Sequence, residues 1–190
     1  MKLKDVIMIA IVSILFGIFY LAMVYFGAFL TNVLTPFGLG ILGYEPVYGV
    51  WFMAATFTTY VMRKPYVGLI AEMLSALIEV LMGNMFGPII FISGFIQGLG
   101  AEIPFALTKY KKYGLSTTIL SSIVACIFSL FWTGFRQGYH NFDIKILIMI
   151  ISIRLISSIF FCGILTKILA DKLAKAGVLK GYAIAENFEE

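Results

Sequence analysis

Four carboxylic acids and one arginine stand inside, or at the edge of, stretches that are otherwise apolar enough to cross a membrane: Glu45, Glu72, Glu79, Glu102 and Arg154. A lone charge in hydrocarbon costs about 2.5–3.5 kcal/mol on insertion scales, and more in simulations. Such groups persist only if they pair, lose their charge or line a wet cavity. The chemistry they point to is non-covalent recognition of a polar solute within a bilayer. Glu79 can accept from an exocyclic amine or offset a positive ring. Asn84 and Gln97 each offer a donor and an acceptor. Tyr48, Trp51 and Trp132 offer faces that stack on planar rings and attract cations, and Arg136 suits an anionic group. Each also has a second reading. Tyr48, Trp51 and Trp132 fit an interfacial aromatic belt, and Arg136 fits lipid headgroups. Glu72, Glu102 and Arg154 fit an interhelical ion pair or protonated acids bonded within a bundle.

The composition says what surrounds these groups. Of 190 residues, 61% are hydrophobic and 13% charged, against about 45–50% and about 25% in soluble domains. This is the composition of an integral membrane protein, read as one domain over residues 1–190. The apolar run from Val6 to Leu30 is too long for a cleavable signal peptide, and no small-residue cleavage site follows it. Cys126 and Cys162 lie in spans and form no metal or redox motif. The net charge of +4 is no nucleic-acid signal, because the basic residues fall in short loops beside spans. His140, the one histidine, cannot supply paired zinc ligands, and Ser93-Gly94 lacks the context of a nucleophile motif. An intramembrane enzyme is therefore disfavoured, and neither a cofactor nor a metal is expected.

Spans need about 20 apolar residues. Six segments qualify: about Val6–Phe26, Pro46–Met62, Tyr66–Met82, Pro88–Leu107, Leu115–Phe135 and Ile144–Leu169. The expected fold is an all-α, six-helix membrane bundle without an internal repeat. Eleven of the fourteen basic residues (Lys2, Lys4, Arg63, Lys64, Lys109, Lys111, Lys112, Lys167, Lys172, Lys175 and Lys180) fall on one side. The positive-inside rule then puts both termini in the cytoplasm. Gly27–Tyr44 is an uncharged outer connection, either an interfacial turn or a lid. The tail after Ala170 reads as a short polar helix or frayed segment ending Glu-Asn-Phe-Glu-Glu. Counting depth from the loop ends yields an outer layer of Glu45, Tyr48, Trp51, Glu79, Asn84, Gln97, Trp132 and Arg136, joined by Tyr139 and His140, and an inner layer of Glu72 and Glu102. Arg154 lies between, able to neutralise an acid of either layer. Glu72 and Glu79, seven apart, share one helix face.

Three strings carry a resemblance: Glu45-Pro-Val-Tyr-Gly-Val-Trp-Phe-Met-Ala, Ala71-Glu-Met-Leu-Ser-Ala-Leu-Ile-Glu-Val-Leu-Met-Gly-Asn, and Gly94-Phe-Ile-Gln-Gly-Leu-Gly-Ala-Glu. Together they resemble the substrate-binding S-components of energy-coupling factor (ECF) transporters of the YkoE type, associated with uptake of thiamine or its hydroxymethylpyrimidine precursor. The likeness is closest over the first four spans. It implies a monomeric six-helix bundle that captures a vitamin at its outer face, under the connection between spans one and two. It also implies a transmembrane T-component and two cytoplasmic ATPase subunits as partners. The chain has no G-x-x-x-x-G-K-[ST] loop of its own. Binding roles follow for Glu45, Tyr48, Trp51, Glu79, Asn84 and Gln97 within the matching strings, and for Trp132 and Arg136 outside them. The family's Ala-x-x-x-Ala docking pattern is absent, since Ile14 stands four residues after Ala10. The looser stripe Ala10, Ser13 and Gly17 is expected either to dock the T-component or to pack within the bundle. The alternative function is a self-sufficient proton-coupled permease, with Glu72, Glu102 and Arg154 as its relay.

Overall fold

The computed structural model describes residues 2–188; the final Glu-Glu of the tail lies outside the described residues. Among them the chain is helical throughout. Helix α1 spans Leu3–Leu34, α2 Met53–Met62, α3 Val67–Leu81, α4 Ile89–Leu107 and α5 Leu115–Gln137. Helix α6 (Ile144–Ser158) runs through a π-wound stretch, Ile159–Leu165, into α7 (Thr166–Lys175).

Four rods are long and apolar enough to cross a membrane by themselves: Leu3–Phe37, Ile89–Leu107, Leu115–Gln137 and Ile144–Lys175. Of the other two expected spans, the second is helical from Glu45 to Met62 but changes winding, 3₁₀ over Glu45–Phe52 and α from Met53, and the third is short. Helix α3 has 15 residues, or about 22 Å at 1.5 Å each. Helix α2 has 10, every one of them buried. Neighbours enclose α2 so completely that it has no lipid face to match to the bilayer. The first connection is also shorter than expected, because α1 continues eight residues beyond Phe26. Only then do tight turns over Thr35–Phe37 and Gly40–Leu42 bring the chain back across the outer end.

The buried acids close helix ends. The first amides of a helix lack intrahelical acceptors, and in a dry interior each costs roughly 1–3 kcal/mol if left unpaired. At the start of α2, Ala55 N donates to Glu72 Oε2 at 3.0 Å and Ala54 N to the Tyr20 hydroxyl at 2.9 Å, which itself donates to Glu72 Oε2. At the start of α3, Tyr66 N donates to Glu102 Oε1 at 2.8 Å, and Leu69 N and Thr59 Oγ1 donate to Oε2 at 3.2 Å. Each carboxylate thus caps a helix other than its own, where the helix dipole favours negative charge. Gly94 and Gly98 of α4 allow this closeness: a Cβ on Gly94 would stand 2.6 Å from that of Ala76, and one on Gly98 3.0 Å from that of Glu72. Ser13 and Gly17 serve the same purpose on α1. Ser13 Oγ donates to Ala71 O, and a Cβ on Gly17 would stand 2.8 Å from Ile78. Both are buried against α3, so of the three residues considered for partner docking only Ala10 is exposed. Ser13 and Gly17 pack within the bundle, where α1 and α3 approach closely, and Ala10 does not share that contact.

Arg154 fixes the outer half. It is fully buried, and its five N–H groups are all used. Nε and Nη2 donate to the two oxygens of Glu45, each at 2.6 Å; Nη1 donates to Ser129 Oγ and Thr133 Oγ1; Nη2 also donates to the Tyr139 hydroxyl. The Tyr48 ring covers the guanidinium at 3.6 Å. This two-pronged bond ties the chain before α2 to α5 and α6. Gly49, one turn on, lies against the backbone of Ser157 and Ser158 where no Cβ fits, and its amide donates to Ser157 Oγ.

The basic end is stapled by the tail. Ile184 is fully buried, and its amide donates to Val61 O at the end of α2. Tyr182 donates to Lys4 O, while Lys4 Nζ donates to Gly181 O. Lys64 pairs with Asp5 at 2.6 Å. The tail is therefore a packed strap rather than a frayed segment.

Two stability measurements check these assignments. Glu102→Ala strands one buried and two part-buried donors and is expected to cost about 2 kcal/mol, with Glu102→Gln losing less, in thermal unfolding of the detergent-solubilised chain. Arg154→Ala is expected to cost about 3–5 kcal/mol by leaving Glu45 unpaired. The double replacement Glu45→Leu/Arg154→Leu should cost less than the sum of the two single losses.

Candidate ligand-binding site

A cavity of about 370 Å³ opens among the helix halves remote from the chain termini, within the range of small-molecule sites. Its walls follow from helix periodicity. Helix α3 contributes Glu72, Ala76 and Glu79, and α4 contributes Ile90, Ser93, Gly94 and Gln97. Both sets have the i, i+3/4, i+7 spacing of one α-helical face. Glu45, Tyr48 and Trp51 are spaced by three, and Glu45–Phe52 is an eight-residue 3₁₀ helix. At three residues per turn all three eclipse on one face. In an α-helix, at 100° per residue, Trp51 would fall about 120° from Glu45. The unusual winding is what aims Glu45, Tyr48 and Trp51 at one cavity. Thr31, Gly40, Ile41 and Tyr44 roof it, and Tyr20 and Val24 reach it from α1.

Six of the eight residues assigned to binding from the sequence line this cavity: Glu45, Tyr48, Trp51, Glu79, Gln97 and Arg136. Glu45 does so with both oxygens held by Arg154, and thus as part of a neutral pair. Arg136 is exposed at the mouth, its guanidinium 5.8 Å from the Trp132 ring. The other two stand elsewhere. Trp132 lies on the outer flank with Ile96, Phe128, Phe131 and Phe135, and its indole N–H reaches inward only to Ser93 Oγ at 2.8 Å. Asn84 sits behind Glu79, donating from Nδ2 to Glu79 Oε1 at 2.5 Å. Depth counting puts a residue in the right layer but does not say which way it turns. His140 is exposed on the short outer turn Tyr139–Asn141.

The chemistry left open is specific. Glu79 is 1% exposed; Asn84 Nδ2 bonds its Oε1, the Trp51 indole N–H is a further donor beside the carboxylate, and no donor among the described residues meets hydrogen-bond geometry at Oε2. Thr31 Oγ1, under the roof, is the other such buried oxygen on the lining. Beside Glu79 stand Gln97 and an aromatic group in which Trp51 meets Tyr48 edge-on at 5.5 Å and Tyr44 at 6.3 Å. The site thus offers a carboxylate acceptor, a carboxamide and ring faces in a half-open cavity. Sequence reasoning missed Tyr44, Ser93, Thr133 and Gln137. Ser93 was legible in principle, four residues before Gln97 on one helix face. Tyr44 carried no signal, because it depends on the fold of the roof.

Comparison with known proteins gives these features a context. Residues 4–128 match a family described as ABC-type cobalt transport system, permease component. The chain is 35% identical over 189 residues to the putative HMP/thiamine permease protein YkoE of Bacillus subtilis (strain 168), covering 100% of this chain and 92% of that one. A crystal structure of an S-component of an ECF transporter superposes with a TM-score of 0.92 at 35% identity, over 98% of this chain and 92% of the other. These relatives are transport proteins rather than enzymes. With its apolar helices, the chain is a multi-pass protein of the cell membrane. It belongs to the permease-component family of ABC-type cobalt transport systems and, within that setting, to the YkoE-type S-components of ECF transporters.

Proposed function

We propose that this chain, acting as one unit, captures thiamine or its hydroxymethylpyrimidine precursor at the outer face and delivers it inward with a T-component and two cytoplasmic ATPase subunits. The observation that carries the reading is the free Oε2 of Glu79 inside an aromatic-lined cavity. A buried carboxylate oxygen without a donor is costly in a low-dielectric interior, and an aminopyrimidine brings the missing N–H. Trp51, Tyr48 and Tyr44 suit its ring, Gln97 can complete the pairing along its edge, and the carboxylate favours a ligand with positive charge. Asn84 acts on Glu79 rather than on the ligand, and Trp132 acts through Ser93.

An organic solute fits better than a metal cation. The three acids on the lining are not free to converge on an ion, since Glu45 is committed to Arg154 and Glu72 to the start of α2 and the Tyr20 hydroxyl. Among the described residues no three metal-ligating side chains gather. The proton-relay alternative is weakened in the same way: Glu72 and Glu102 hold backbone amides at helix starts, and the N–H groups of Arg154 are all taken. The clustering of basic residues around the α1 start and the tail supports an orientation with both termini in the cytoplasm.

Isothermal titration of the purified chain without ATP tests the reading. The expected outcome is nanomolar-range affinity for thiamine or hydroxymethylpyrimidine, with riboflavin and cobalt(II) giving no heat. Glu79→Gln should weaken binding about tenfold or more, since hydrogen bonds to charged groups are worth roughly 1.5–3 kcal/mol. Absence of binding by both pyrimidines, or an unchanged affinity in Glu79→Gln, would contradict it.

A further inference from the structure

The connection between α3 and α4 joins the binding carboxylate to the roof through an unbroken set of contacts. Asn84 Nδ2 donates to Glu79 Oε1, and Asn84 Oδ1 accepts from Phe86 N at 2.7 Å. The Phe86 ring meets the Tyr44 ring edge-on at 5.5 Å, and the Tyr44 hydroxyl reaches Met85 Sδ at 3.9 Å. Tyr44 belongs to the roof and rests on Gly27 of α1, where a Cβ would strike its ring. Met85 and Phe86 are exposed, whereas Asn84 is 6% exposed. Gly83 and Gly87 flank the three residues at φ +92° and +67°, each with open space around its Cβ position. In such a setting the backbone can pivot at little steric cost.

We propose that Asn84 is a positioning residue, which orients Glu79 on one side and acts through Phe86 and Met85 to latch the Tyr44 roof on the other. The inference rests on the reading of the cavity as the binding site. It assigns Asn84 a task it cannot perform by contact, because it does not line the cavity. The latch crosses the mouth between the roof and the α3–α4 connection, which are otherwise joined along the chain only through Glu45–Phe52, α2 and α3. Releasing the Asn84 amide should free the roof, and removing the Tyr44 ring, which also packs on Trp51 and Gly27, should free it at least as much, with no further gain from combining the two because both break one latch. Glu79→Gln retains a carbonyl oxygen for Asn84 and should leave the latch engaged even as ligand affinity falls.

Amide hydrogen exchange in the ligand-free chain tests this. Leu42 and Gly43 donate to Leu39 O and Gly40 O within the roof, and their exchange reports its opening. Asn84→Ala and Tyr44→Ala are each expected to speed these amides about tenfold, with the double variant no faster than the faster single one and with α5 amides unchanged. Glu79→Gln should exchange as the wild type does. Unchanged roof exchange in Asn84→Ala, multiplied effects in the double variant, or acceleration spread equally over α5 would each overturn the latch. The measurement needs no ligand, so failure of the pyrimidines to bind the wild type would defeat the functional reading and leave this result standing by itself. Where thiamine does bind, Asn84→Ala should raise its dissociation rate by a similar factor, while an unchanged rate would overturn the proposal.

Discussion

A charge or amide cut off from water must find a partner, and in this chain that requirement decides which helix sits beside which. Glu72 and Glu102 accept from the first amides of α2 and α3, so three helices cannot separate without exposing donors to an apolar interior. Arg154, on α6, spends every N–H on α5, the turn after α5 and the segment before α2, and its fork against Glu45 sets the height of that segment. The ion pair belongs to a network whose members have no better partner. Breaking it by halves is far costlier than replacing it whole.

Against that background the cavity is an exception. Glu79 stands among acids that are satisfied and keeps one oxygen without a donor. Its second oxygen is oriented by Asn84, so the free one is held in place before any ligand arrives. The ring faces beside it owe their alignment to 3₁₀ winding over Glu45–Phe52. Runs of that length are uncommon because the hydrogen bonds are poorer. Here the bond to Arg154 at one end and the close approach of Gly49 to α6 in the middle hold the tighter helix. Preorganisation of this kind keeps the cost of ordering the site out of the binding step.

Much of the fold was legible because hydrophobic length and Gly/Pro punctuation report directly on helices, and the ends of α3, α4 and α5 fell within a residue or two of expectation. Glu79 and Gln97 were legible because their helices are regular, so depth and face follow from counting. The rest depended on partners. Nothing in the string around Glu45 says that its carboxylate is answered from Arg154, 109 positions later. Ser13 and Gly17 read equally well as an outward docking face until α3 is seen against them. Asn84 and Trp132 were in the right layer yet turned toward protein neighbours, which depth alone cannot reveal. The tail reads as a short polar helix or a frayed segment because lysines and closing acids dominate its pattern, while its anchors, Leu179 and Ile184, sit in apolar runs too short to mark a helix face.

The account stands on Glu79 being the polar group that a ligand satisfies, with the Glu45–Arg154 pair as fixed wall. The most direct measurement is a structure of the chain bound to thiamine or hydroxymethylpyrimidine. It should show an N–H of the aminopyrimidine about 3 Å from Glu79 Oε2, the ring against Trp51, and the two Glu45–Arg154 bonds unbroken. A ligand held by Glu45 after Arg154 has swung away, or one seated outside this cavity with Glu79 still unpaired, would contradict it.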